Sequence, residues 1–245
     1  MSIPDGSVVW QKDFLMGLRK LPLVIGYNHK KTYTSSGTFI APITGLYKIT
    51  LQGGGGGGKS AASSCGGGGG GAGGQMYFYA NLIAGTSYSF TVGAGGNGGN
   101  SPTSGGTTSI TLGDNTYSAT GGNPGSRADA MGSQGDIVGI SYGGRGGVCK
   151  INNSNVPGTE GVVGGIGFRV KNALGVGGSG GGYFGGPPLT GSGYVGWYGS
   201  GGSGGGYDSE GGHQGKEGGG GYITIEWFDP ADAFPSIWAE IEPST

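Results

Sequence analysis

Glycine runs constrain this chain more than any other feature. Uninterrupted glycine fills 53–58 and 66–71, and mixed runs follow at 93–99 and into 218–221. Such a run has no side chains to pack and loses more entropy on ordering than any other sequence, so in isolation it is a flexible coil. It can be ordered only if its backbone N–H and C=O groups find partners. An extended helix with three residues per turn and no internal hydrogen bonds directs those groups outward. Neighbouring copies without side chains can then approach closely enough to pair them, and six residues span roughly 19 Å. The runs therefore predict a bundle of backbone-bonded polyglycine II helices. A collagen triple helix is excluded, because no sustained Gly-X-Y register with proline exists.

Composition separates this reading from disorder. The 245 residues include 67 glycines and 11 prolines, yet 10% are aromatic, 11% are charged and the net charge is -1. Disordered chains avoid aromatics and carry net charge. Only 33% of residues are hydrophobic, so the side-chain core must be thin and the backbone must carry part of the stability. Thirteen basic residues balanced by fourteen acidic ones supply no footprint for nucleic acid. No apolar run of about 18 residues exists to insert in a membrane. Lys12, Asp13, Arg19 and Lys20 interrupt the apolar residues near the start, against a signal peptide. Cys65 and Cys149 both sit among glycines; free thiols are favoured over a bridge, and whether they are bonded stays open.

Three segments follow. Residues 1–32 read as an attachment segment, with Trp10, Phe14, Leu18 and Leu21 at helical spacing and Pro22 as a stop, which predicts a short N-terminal helix. The segment 33–228 is a mainly β domain with short β runs at 38–42, 46–51, 76–83, 87–92, 107–112, 116–119 and 222–228. Gly85-Thr86 predicts a hairpin between the third and fourth of these, and Gly113-Asp114-Asn115 another. Several short strands with turn signals argue for an antiparallel sandwich or jelly roll. The glycine-rich stretch at about 120–221 is then an excursion that the last strand closes. Residues 229–245 form an acidic tail.

The stretch Gly37-Thr38-Phe39-Ile40-Ala41-Pro42-Ile43-Thr44-Gly45-Leu46-Tyr47, the middle block 93–99 and the closing run into Tyr222-Ile223-Thr224-Ile225-Glu226-Trp227 resemble glycine-rich domains of bacteriophage tail-fibre and receptor-binding proteins. Phe39 to Tyr47 is also similar to a strand pair of tumour-necrosis-factor-like jelly rolls. The resemblance implies a TNF-like jelly-roll-type β-sandwich with an inserted polyglycine II bundle. It further implies a virion protein at a tail-fibre tip, made in the host cytoplasm without a signal peptide. Its partners would be a host surface receptor, protein or glycan, and the fibre shaft or sister subunits, a homotrimer being one arrangement. A structural virion or spacer protein without receptor binding is the alternative.

Chemistry-bearing motifs are sparse. The stretch 53–60, ending in Lys59 and Ser60, satisfies the P-loop pattern, but Ala61 to Cys65 lead straight into more glycine, leaving no helix for phosphate. His29 and His213 are the only histidines, and His213 with Asp208 and Glu210 lacks a closed ligand set or a nucleophile context. An enzyme acting on polysaccharide would need carboxylates about 5–9 Å apart, with Asp129, Asp136, Asp208 and Glu210 as candidates. The expectation is therefore no enzyme, no cofactor and no metal. Aromatics stand out instead: Tyr183, Phe184, Tyr194, Trp197, Tyr198 and Tyr207 interrupt glycine sequence, and rings with a polar handle suit exposed binding surfaces. Trp197-Tyr198 is the leading contact pair for a receptor. Tyr142, Arg145, Arg127 and Asp129 are further candidates, since charges are so few.

Overall fold

The computed structural model describes residues 27–62, 65–126, 137–157, 159–170, 175–182, 185 and 191–233. The predicted N-terminal helix and the tail beyond Ala233 lie outside the described residues. Two antiparallel sheets enclose one apolar core. The first contains β1 (His29–Tyr33), β3 (Gly45–Gln52), β4 (Gln75–Leu82) and β15 (Tyr222–Trp227), in the order β1-β15-β3-β4. The second contains β2 (Gly37–Ile40), β5 (Ser87–Thr91), β6 (Thr108–Leu112), β7 (Asn115–Ala119), β9 (Cys149–Ile151) and β10 (Ser154–Val156), in the order β10-β9-β7-β6-β5-β2.

Alternation decides which face each strand buries, because successive side chains point to opposite sides of a sheet. In β3, Tyr47, Ile49 and Leu51 are fully buried. Register places Ile49 opposite Ile225 and Leu51 opposite Ile223, so both strands send aliphatic residues to one face. Phe39, Tyr47 and Trp227 meet there with ring centroids 5.7–5.9 Å apart, and the Tyr47 hydroxyl donates to the Ile43 carbonyl at 2.8 Å. Cys149 lies in this core. It is a free thiol, as is the buried Cys65, and burial pushes the Cys149 thiol up to about 11.

The predicted strands are observed with small shifts of boundary, but one predicted connection differs. The Gly85 turn does not join a hairpin: β4 pairs with β3, whereas β5 pairs with β2 and β6. Gly85, at φ +74°, makes a tight turn closed by Thr86 N–H on the Ile83 carbonyl at 3.1 Å, and that turn carries the chain from one sheet to the other. The Gly113 turn does join the hairpin β6–β7. The glycine-rich excursion also returns to the second sheet midway, through β9 and β10.

Strands of the sandwich run on into the glycine runs. β3 and β4 pair as far as Gln52 opposite Gln75. Their extensions continue the ladder through Gly53 N–H to Gly74 O, Gly56 to Gly71 and Lys59 to Gly68. The bonded residues now recur every third position, as a helix with three residues per turn requires. The intervening residues of the run 53–61 turn to other neighbours in the same rhythm. Gly54 and Gly57 donate to Gly106 and Thr103, while Gly55, Gly58 and Ala61 donate to Gly219, Lys216 and His213. All three of these neighbours are antiparallel, since the partner number falls as the donor number rises. Three parallel neighbours donate to the same run: Gly96 and Gly99 to Gly55 and Gly58, Gly122 and Gly125 to Gly54 and Gly57, and Gly202 and Gly205 to Gly56 and Lys59. The run 53–61 is thus enclosed on every side by backbone.

At its interior glycines the bundle leaves no room for a Cβ, and only small residues such as Ala72, Ser200 and Ser203 share those runs. A Cβ built at Gly55, Gly57, Gly70 or Gly201 would fall closer than 3.0 Å to backbone atoms of a neighbouring run. Burial follows the position of each run. Residues of 53–58, 66–74 and 200–206 are buried throughout. The outer runs bury every third residue, as in Gly93, Gly96, then Gly144, Gly147, then Gly193, Gly196. A third sheet lies at the end of the bundle away from the sandwich. It contains β8 (Ile137–Ser141), β11 (Gly167–Val170), β12 (Gly175–Val176), β13 (Tyr207–Asp208) and β14 (Gly211–Gly212), ordered β14-β13-β12-β11-β8. One helical turn, Pro230–Ala233, follows β15.

Candidate functional site

The three-residue rhythm sets where large side chains can stand. In the run 191–197, Gly193 and Gly196 face inward and donate to Gln214 O and Glu217 O at 3.0 and 2.8 Å. Tyr194 and Trp197, three residues apart, are therefore turned outward and are 56% and 63% exposed. The chain then reverses at Tyr198-Gly199, with φ of +46° and +77° and the Ser200 N–H on the Trp197 carbonyl at 2.9 Å. Two consecutive left-handed residues closed by that bond form a turn best served by Asn-Gly. A tyrosine in the left-handed region costs roughly 1–2 kcal/mol. Tyr198 is held there nonetheless, with its ring 6.4 Å from Trp197 and 6.2 Å from Tyr222, each edge to face.

The predicted receptor residues do not form one cluster. Tyr194, Trp197 and Tyr198 stand together. Tyr142 and Arg145 form a second exposed pair, again three apart, on the run 142–148. That run bonds to 66–74, 120–126 and 161–164, whereas 191–197 bonds to 200–206 and 213–219. Tyr207 is half-buried in β13, at the far end. Tyr183, Phe184, Arg127 and Asp129 lie outside the described residues.

Tyr198 also borders a site that the sequence reading missed. The outward faces of β1, β15 and β3 carry rows set by register: Lys30 opposite Glu226 opposite Lys48, and Thr32 opposite Thr224 opposite Thr50. These six side chains, with Tyr198 and Tyr222, line a groove of about 450 Å³. A second concavity of about 300 Å³ lies beyond Tyr198, between Thr34, Trp197 and the backbone at 219–221. In the groove, Lys48 Nζ pairs with Glu226 Oε2 at 3.3 Å, and the Thr32 and Thr224 hydroxyls are 3.0 Å apart. Tyr222 accepts a hydrogen bond from Gln75 Nε2 at 2.9 Å. On β4 alongside, Tyr77 and Tyr79 are 63% and 54% exposed, with Lys48 Nζ 5.5 Å from the Tyr77 ring centre. Burial first, and then the neighbouring Tyr79 hydroxyl, pushes the Tyr27 hydroxyl up. The signal was available in sequence as period-two alternation, Tyr222, Thr224, Glu226 in one strand and Lys48, Thr50 in another.

The other charged clusters hold the fold. Asp208 accepts the Glu210 N–H at 2.9 Å and faces His213 Nε2 at 2.7 Å. The backbone bond to Glu210 leads the effects that hold its carboxyl below the usual range. These contacts latch the β13–β14 hairpin. His29, Asp229 and Asp232 group their ligand atoms within 4.8 Å, with His29 paired to Asp232 at 2.9 Å and Asp229 Oδ1 accepting the Ala231 N–H. Lys59 reaches the Asn100 carbonyl and no helix follows it among the described residues, so the P-loop match is a stretch of glycine run.

Aromatic faces, hydroxyls and an ion pair are binding chemistry. Compared with curated proteins, the chain has no match. The family model described as glycine-rich domain matches residues 34–232, which takes in both sheets of the sandwich apart from β1, together with the glycine bundle and its far sheet. The chain belongs to that glycine-rich domain family.

Proposed function

We propose that this protein is a receptor-binding adhesin of a bacteriophage tail fibre, in which a jelly-roll-type sandwich carries a polyglycine II bundle as a rigid mount for exposed aromatic residues. The three-residue recurrence of hydrogen bonds along 53–61 supports the polyglycine II assignment. Two antiparallel sheets around one core, with the chain crossing between them at Gly85, support the jelly-roll type. One observation carries the functional reading. The buried runs 53–58, 66–74 and 200–206 hold nothing larger than serine, yet Tyr194, Trp197 and Tyr198 stand outward on the bundle, and exposed aromatic clusters mark interaction surfaces. Attachment to a fibre shaft or to sister subunits falls in this reading to the residues ahead of β1, since His29–Tyr33 belong to the first sheet.

The test is adsorption. Fluorescently labelled protein incubated with a panel of bacterial strains should bind a subset saturably and be displaced by excess unlabelled protein. Replacing Trp197 and Tyr198 with alanine should lower that binding at least ten-fold while leaving the melting transition in place. Saturable binding to no strain would favour a virion spacer over an adhesin.

A further inference from the structure

We propose that the groove across the outer face of the four-stranded sheet, bounded at its bundle end by Tyr198, binds an oligosaccharide. The inference rests on the adhesin reading and gives the chemistry of the receptor. Three observations lead to a sugar. The floor belongs to β15 and β3, whose backbones are paired on both sides. A peptide laid over that floor would find no backbone group free to pair with it, open edges lying only along the outer sides of β1 and β4 among the described strands, whereas a ligand read by side chains alone is accommodated. The side chains offered are hydroxyls and an ion pair, namely Thr32 and Thr50 above the buried Thr224, with Lys48 and Glu226, which can both donate to and accept from sugar hydroxyls. Tyrosine rings stand at the margins, Tyr198 and Tyr222 at one end and Tyr77 and Tyr79 along β4, and offer apolar faces to the C–H side of a sugar ring. A nucleic acid would need more surplus cation than Lys30 beside a paired Lys48 and Glu226 supplies. Two strand spacings by four residues give a floor of about 10 by 14 Å, room for a short oligosaccharide.

The turn at Tyr198 adds an independent argument. Asparagine or glycine would occupy φ +46° more easily, so a tyrosine there stands against local preference, beside both concavities. Backbone strain of this kind gathers at ligand sites. The substitution Tyr198→Asn therefore separates binding from folding, because it removes the ring and relieves the turn.

The experiment applies the full chain to a printed array of oligosaccharides from bacterial capsules and lipopolysaccharides, alongside adsorption to the strain panel. Wild type should bind at least one glycan. Tyr198→Asn should lose at least ten-fold in affinity with an equal or higher melting temperature, Glu226→Gln should weaken the same glycan, and Val163→Ala, exposed on the run 161–164 of the other flank, should leave it unchanged. Array binding by wild type that persists in Tyr198→Asn overturns the groove. So does cell adsorption by wild type without binding to any glycan, a result that leaves the adhesin reading standing. Absence of both overturns the groove together with that reading.

Discussion

At the scale of single residues, what matters in the bundle is the absence of a Cβ. Gly201 and Gly45 are the same residue type in opposite circumstances. A Cβ at Gly201 would fall less than 3.0 Å from Gly70 O and Gly70 C, closer than a real Cβ approaches, while at Gly45 nothing lies within 4 Å. Backbone cannot rotate aside as a side chain can, so the neighbouring run itself must move. Gly201→Ala should destabilise the protein by more than about 3 kcal/mol. Gly45→Ala should be neutral or stabilising by up to about 1 kcal/mol, because it restricts the unfolded chain at no steric cost. Denaturant unfolding of the two variants checks the contrast, and equal effects would mean that the interior glycines are not closely packed. Nothing in the residue name distinguishes Gly45 from Gly201. Their fates depend on neighbours far away in the chain, which local sequence does not specify.

At the scale of elements, the unit is a run whose phase is locked every third residue. The run 142–148 illustrates it, with Gly144 and Gly147 inward and Tyr142 and Arg145 outward. One glycine inserted after Gly144 turns the remainder of the run by a third of a turn, whereas three inserted glycines restore the phase and add about 9 Å. The single insertion should lower the melting temperature several degrees more than the triple one, whose extra length carries only a small loop-closure penalty. A monotonic loss with insert length would contradict a three-residue lock. Much of this was legible in sequence. The alternation of Tyr47, Ile49 and Leu51 announces a strand, and Tyr142 and Arg145 already stand at the spacing of the outer runs. The placement of runs was not, since 53–58 and 66–71 read alike and are centred in the bundle only by pairing with distant segments. β9 and β10 escaped notice because each is three residues long, too short for a period of two to register. The groove escaped because Lys48 and Glu226 meet only through the pairing of β3 with β15.

At the scale of the whole molecule, sandwich and bundle are continuous with one another. Chains that leave β3, β5 and β7 as strands enter the bundle without a break, and the returning runs enter β4, β6, β9 and β15. Fixing a residue's backbone costs about 1–2 kcal/mol, while a typical hydrogen bond returns a net 0.5–1.5 kcal/mol or so. A bundle bonded through its backbone alone is marginal on those terms, and the apolar core around Phe39, Tyr47 and Trp227 supplies what it lacks. In return the bundle fixes the Tyr198 turn against the first sheet, beside the face where Lys48 and Glu226 pair. The central claim is that the interior glycine runs are ordered and backbone-bonded in solution. Amide hydrogen exchange of the native protein tests it most directly. The amides of Gly55, Gly58, Gly70 and Gly202 should be protected as strongly as those of Ile49 and Ile225 in the sandwich, and exchange at those glycines at the rate of an unstructured peptide would contradict the account.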